Sequence, residues 1–303
     1  MTDTPPPARE TAADGSPIPQ TRAEARVTQQ VSSRAGRNLP VAIGVGVLLG
    51  ALIVVAHVWR KELFLALATV AVCGGVWEII QAMRRSGADV PVVPAVLGCA
   101  GMMLSAYYGG SEALAVAFLL SCALIMMWRG SDSIEGAAAD VTRGFFVAAY
   151  PSLLAGFAML LLAAPDGAWR SFTFMAVTVS SDIGGYAAGV LFGRHPMAPT
   201  ISPKKSWEGF IGSVLACVAV AIVCATQGLH APVWVGVLLG VLVACSATVG
   251  DLAESTVKRD HGIKDMSSIL PGHGGLMDRL DSLVVSAPVV WAVLVVFVPI
   301  PGG

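Results

Sequence analysis

From Val41 onward the chain alternates long apolar runs with short polar breaks. Nine runs can be traced, at approximately 41–59, 62–83, 91–108, 112–128, 145–164, 169–192, 208–226, 232–250 and 282–299. Each is about 20 residues long, roughly 30 Å of helix, which is the thickness of a bilayer's hydrocarbon core. The pattern predicts an all-α, polytopic membrane protein with about nine transmembrane helices. Pro91, Pro94 and the Gly109-Gly110 pair interrupt the third and fourth runs, where the pattern is weakest. Gly and Ala recur throughout, which suits close helix packing in lipid.

Composition agrees with that picture. The chain has 303 residues, 55% hydrophobic and 13% charged, with a mean hydropathy of +0.73. A formal net charge of -1 gives no reason to expect a nucleic-acid or other highly charged partner. Cys73, Cys99, Cys122, Cys217, Cys224 and Cys245 all lie inside apolar runs without CxxC spacing, and read as small packing residues. Residues 1–38 are polar, aperiodic and rich in Pro, Ala, Thr, Gln, Arg and Glu, so a disordered tail is expected there, with a transmembrane domain spanning 39–303. No early apolar core with a cleavage site is visible, and the first span is expected to direct insertion. With nine spans and the N-terminus inside, sixteen of the 19 Lys and Arg residues fall on the cytoplasmic side, leaving Arg60, Lys61 and Arg170 outside. The basic bias orients the chain in a bacterial-type plasma membrane with its N-terminus and its polar loops cytoplasmic.

One polar break differs from the rest. Asp251–Asp281 holds six acids (Asp251, Glu254, Asp260, Asp265, Asp278, Asp281), four bases (Lys258, Arg259, Lys264, Arg279) and two histidines (His261, His273). If the helix entering it continues, Asp251, Glu254 or Ser255, and Lys258 share one face. Asp278 and Asp281 fall on the first turn of the next helix. Pro271-Gly272-His273-Gly274-Gly275 lies between the clusters, where glycines let backbone N–H groups approach a ligand at a helix N-terminus. Carboxylates for a hard cation, bases for phosphate oxygens and a Gly-rich turn together describe a metal–polyphosphate site.

The run Ser255-Thr-Val-Lys258-Arg259, then Lys264-Asp265, then Leu270-Pro271-Gly-His273-Gly274-Gly275-Leu276-Met-Asp278-Arg279-Leu280-Asp281 resembles the signature of the phosphatidate cytidylyltransferases, the CDP-diacylglycerol synthases. It shows no departure in this window and fixes more than a dozen positions. The resemblance implies a membrane enzyme that makes CDP-diacylglycerol and pyrophosphate from CTP and phosphatidic acid in phospholipid biosynthesis. Catalysis is then expected from Asp251, Lys258, Asp278 and Asp281. Substrate binding falls to Ser255, Arg259, Lys264, His273, Gly274, Gly275 and Arg279. The resemblance also implies a homodimer.

Two upstream constellations join this set. Asp182, near the middle of the sixth run, is costly at that depth unless it faces a polar cavity, a cation or a partner on another helix. The resemblance places its motif at the border of the active site. Asp182, Asp251, Asp278 and Asp281 are therefore the expected ligands of one or two Mg²⁺ ions, with a monovalent ion a further option. Ile201-Ser202-Pro203-Lys204-Lys205-Ser206-Trp207-Glu208-Gly209 resembles a second family segment, which implies that Lys204 and Lys205 hold phosphate or headgroup. Trp207 reads equally as an interfacial belt residue, and Glu208 as the partner of a base or of the helix dipole. Glu78 and Gln81 read as interface or packing residues, His57 and His230 lie toward the outer side, and His195 has no evident partner. A transporter would predict inverted repeats, which are not visible. The Asp/Gly/Arg pattern of CDP-alcohol phosphotransferases is also absent.

Overall fold

The computed structural model describes residues 51, 55, 57, 59–131, 135–263, 265–267, 269 and 274–300. The expected tail at 1–38, nearly all of the run at 41–59, Lys264 and His273 lie outside these residues. Among the described residues, seven helices are long and apolar enough to cross a membrane. They are α1 Lys61–Arg85, α2 Val92–Gly130, α3 Ala137–Ala163, α4 Gly167–Phe192, α5 Trp207–Gly228, α6 Val233–Asp260 and α7 Met277–Phe297.

Helix α2 is a hairpin rather than one long rod. Gly110 has φ 76°, a left-handed value that only glycine adopts cheaply, and it sits where the glycine pair breaks the sequence pattern. A Cβ on Gly98 would collide with Ser121 of the same element. In a straight helix those two residues would be about 34 Å apart at 1.5 Å per residue. The two arms therefore pack side by side and match the expected runs at 91–108 and 112–128.

Helix α3 begins earlier than its apolar pattern. Its first turns are polar, and Asp140 there takes hydrogen bonds from Arg129 Nε (3.1 Å), Arg143 and the Asp89 N–H (3.0 Å). Halfway along, Ala148–Leu153 widens into a π-helix around Pro151. Proline has no N–H to continue the ladder, and Ser152 Oγ donates to the Val147 carbonyl at 3.2 Å.

Side-chain ties gather the helix ends on two faces. On one, Arg84 meets Asp89 (3.9 Å), Arg129 meets Asp140, and Ser86 Oγ meets His261 Nδ1 (2.8 Å). On the other, Lys61 donates to the Ala164 carbonyl (2.6 Å) and His57 meets the Ala168 carbonyl (2.8 Å). Arg170, buried on that second face, donates to the carbonyls of Leu294 and Val298 at the end of α7. The first face carries the site.

Helices α4 and α5 pack backbone to backbone. A Cβ on Gly184 would lie 2.6 Å from the Gly212 carbonyl oxygen, and one on Gly212 would lie 2.7 Å from that of Gly184. Small residues thus let this pair approach as lipid-embedded helices do. Between them the chain forms a two-stranded antiparallel sheet, β1 Pro196–Ala198 and β2 Ser202–Ser206, with Pro196 opposite Ser206 and Ala198 opposite Ser202. This small sheet departs from the all-α expectation, while the membrane-length elements remain helical.

Candidate functional site

The last third of α6 runs past its apolar stretch as an unbroken helix to Asp260. That continuation aligns its polar residues at helical spacing. Ser255 Oγ donates to Asp251 Oδ1 (3.4 Å), and Lys258 Nζ donates to Glu254 Oε2 (2.8 Å). Gly250 sets where α6 crosses α7, since a Cβ there would lie 2.6 Å from the Asp281 carbonyl oxygen. The crossing brings Asp251 and Asp281 to one level. Tyr150, from the π segment of α3, reaches the Gly250 carbonyl at 3.5 Å from behind.

Helix α7 starts at Met277, so Asp278 and Asp281 do lie in its first turns. Asp278 is a hub. Its Oδ1 takes Lys258 Nζ at 2.9 Å, and its Oδ2 takes the N–H groups of Gly275 (2.8 Å) and Met266 (3.1 Å). Asp281 Oδ1 accepts from the Ser282 N–H at 2.7 Å. Glu254, fully buried, lies beside Asp281, and its Oε1 receives no hydrogen bond from the described residues.

The β-sheet brings in the third component. Lys205 Nζ lies 2.6 Å from Asp251 Oδ2 and 3.4 Å from the Thr248 carbonyl. Ser206 caps α5 by accepting the Gly209 N–H at 3.1 Å. Glu208 closes the base of the sheet, accepting the N–H groups of Arg194 and His195 (3.2 Å each) and facing His195 Nδ1. His195, without an evident partner in the sequence, is thus paired with Glu208. Arg259 Nε reaches the Ile201 carbonyl at 3.4 Å and ties α6 to the turn of the sheet.

These pieces enclose a cavity of about 540 Å³ on the polar face. Its walls include Asp182, Lys204, Lys205, Asp251, Lys258, Asp265, Asp278, Arg279 and Asp281. That volume lies within the range of sites for small organic ligands. Asp182 is ten residues from the end of α4 (192 − 182), so the cavity reaches about 15 Å below that end at 1.5 Å per residue. Asp182 is exposed to this space, and its side chain makes no hydrogen bond among the described residues. A structural Asp tied to a neighbouring helix would show such a bond.

Eight of the site residues read from the sequence meet here, drawn from α4, β2, α6 and α7. Ser255, Arg259, Gly274 and Gly275 lie beside the cavity without lining it, and Gly275 gives its N–H to Asp278. Two acids were missed as participants. Glu254 holds Lys258, and its i, i+4 spacing was the available signal. Glu78 of α1 accepts the N–H groups of Leu276 and Met277, and its only signal was a carboxylate inside an apolar run.

The chain matches the model of the Cytidylyltransferase family over residues 40–297. It belongs to that family. A phosphatidate cytidylyltransferase of Mycobacterium bovis is 41% identical over 277 residues, covering 87% of this chain and 90% of the relative. One of Mycobacterium leprae is 40% identical over 294 residues, covering 91% and 94%. A protein of the same name from Brucella suis is 35% identical over 179 residues, covering 59% and 64%. The resemblance read from the signature segment is therefore borne out over most of the chain.

Proposed function

We propose that this cavity transfers the cytidylyl group of CTP to phosphatidic acid, giving CDP-diacylglycerol and pyrophosphate. The observation that carries the reading is the convergence of Lys204, Lys205, Lys258 and Arg279 with five aspartates in one cavity of a cytidylyltransferase-family membrane protein. An oxygen of the lipid phosphate forms a bond to the α-phosphorus of CTP as the bond from that phosphorus to the β-phosphate bridging oxygen breaks. The electron pair leaves with pyrophosphate. The lipid phosphate is already ionised at neutral pH, so the protein's task is positioning and charge neutralisation. Lys204, Lys205 and Arg279 face the triphosphate, and Lys258 sits one layer deeper between Glu254 and Asp278.

Among the described residues the cavity wall holds five carboxylates (Asp182, Asp251, Asp265, Asp278, Asp281) against four bases. Those groups do not by themselves neutralise a triphosphate. Among the described residues no three acids converge at ligand distance, and lysine ammonium groups sit against Asp251 and Asp278. The hard oxygen donors nevertheless suit Mg²⁺, and Glu254 Oε1, buried beside Asp281, has no hydrogen-bond partner among the described residues. Asp182, Asp251, Asp278 and Asp281 would hold one or two such ions, Asp278 through the Oδ1 that Lys258 now covers. Bound there, the ion would supply positive charge to the phosphate oxygens.

The site face is assigned to the cytoplasm, on the sixteen-to-three distribution of basic residues and nine crossings with the N-terminus inside. The family resemblance supports a homodimer. The test is detergent-purified full-length protein given CTP, phosphatidic acid and Mg²⁺. Pyrophosphate release and a lipid-soluble cytidine product should require all three. Release of phosphate from CTP without phosphatidic acid, or no turnover in folded protein, would refute the reading.

A further inference from the structure

Glu78 lies on α1, almost 200 residues from the signature segment, and it is completely buried. A buried carboxylate in an apolar helix is costly unless it is fully hydrogen-bonded. Here both oxygens are used. Oε1 accepts from Leu276 N–H (3.0 Å) and Ser267 Oγ, and Oε2 from Met277 N–H (2.8 Å). Leu276 is the N-cap of α7 and Met277 its first residue, and the N-cap side chain makes no capping bond of its own. Glu78 therefore caps α7 from another helix.

The surrounding packing is built for this contact. Gly74 and Gly75, one turn earlier on α1, leave room for the side chains of Leu276 and Met277. A Cβ on Gly275 would lie 2.7 Å from Glu78 Oε2, so a side chain at 275 would press on the carboxylate. Directly after the capped residues comes Asp278, which gathers the N–H groups of Gly275 and Met266 and the ammonium of Lys258. Arg279 and Asp281 follow on the same turns and line the cavity.

We propose that Glu78 is a positioning residue for cytidylyl transfer. It touches no residue of the cavity's charged set directly, and acts by fixing the first turn of α7 and the Ser267 end of the loop, from which Asp278, Arg279 and Asp281 project. The proposal rests on the functional reading above. It also changes the role of the glycine turn. The N–H groups of Gly275, Leu276 and Met277 go to Asp278 and Glu78 rather than to a substrate phosphate.

The test uses Glu78→Gln in the detergent-purified full-length protein. Glutamine keeps the shape, but it turns one acceptor into a donor facing a backbone N–H. The kcat should fall at least tenfold, while KM for CTP changes less than threefold. Hydrogen–deuterium exchange of the peptide covering 274–280 should speed up at least tenfold. Unchanged kcat in folded Glu78→Gln overturns the proposal, as does lost activity with unchanged exchange there. If that variant does not accumulate, Gly275→Ala presses on the same carboxylate and should give the same pair of changes. Normal kcat in that variant also overturns the proposal. In the double variant the kcat loss should not exceed the larger single loss, and multiplied losses would refute a shared route. Wild-type protein is assayed alongside. If it makes no CDP-diacylglycerol the functional reading fails, whereas the exchange measurement still reports on the cap.

Discussion

Replacing Lys258 by methionine separates a buried ion pair from an exposed one within the same cavity. The Lys258 side chain is 14% exposed and joins Glu254, at 0%, to Asp278, at 9%. Methionine fills much of the same volume but leaves two carboxylates facing each other without a cation. Removing one partner from a buried pair costs about 3–5 kcal/mol, because the remaining charge cannot recover its hydration. Lys205 is the control. Its partner Asp251 is 37% exposed, so water replaces the lost ammonium, and Lys205→Met should cost less than about 1 kcal/mol. Thermal unfolding of both variants in one detergent, followed by a tryptophan or thiol probe, provides the comparison. The expected result is a large drop in melting temperature for Lys258→Met and a small one for Lys205→Met. Adding Glu254→Gln to Lys258→Met should recover part of the loss, since it removes one of the two facing carboxyl groups. Equal shifts for the two single variants, or a further drop on adding Glu254→Gln, would refute the argument that Lys258 is a buried hub.

Other residues give equally direct outcomes. Asp182→Asn should lower specific activity at least tenfold, about 1.4 kcal/mol of transition-state stabilisation, with unchanged melting temperature, because its side chain makes no hydrogen bond among the described residues. Normal activity would remove Asp182 from the site. Asp251→Asn should raise the Mg²⁺ concentration for half-maximal rate about tenfold and be partly rescued by excess metal. Lys205→Met should instead raise KM for CTP with no metal rescue; identical metal responses would undo that division of roles. Gly212→Val should destabilise by about 1–3 kcal/mol, since its side chain must displace the Gly184 backbone, and an unchanged melting temperature would show that the α4–α5 contact is looser than described.

The spacing of Asp251, Ser255 and Lys258 was legible because helical period alone dictates their shared face. The break at Gly109-Gly110 was legible for a similar local reason, as only glycine makes that turn without cost. The β-sheet at 196–206 escaped detection because its strands are short and carry no alternating apolar pattern; a capped helix and the Glu208 carboxylate hold it instead. Glu78 was read as packing because nothing near it in sequence hints at its partners. Its hydrogen bonds go to a segment that only the tertiary fold brings within reach. Asp278 was read for its charge, but the structure shows its oxygens also gathering backbone N–H groups, a role that depends on loop geometry rather than spacing.

The cap that Glu78 places on α7 imposes an order on biosynthesis. The ribosome makes α1 early and α7 last, and every hydrogen bond that Glu78 receives comes from residue 267 or later. Throughout the synthesis of five intervening helices, this carboxylate has none of its final partners and must stay near water at the membrane boundary. Burial of α1 at that end is completed only when α7 inserts. A chain that stops before Met277 thus loses more than a final helix, because an early one is left unable to settle.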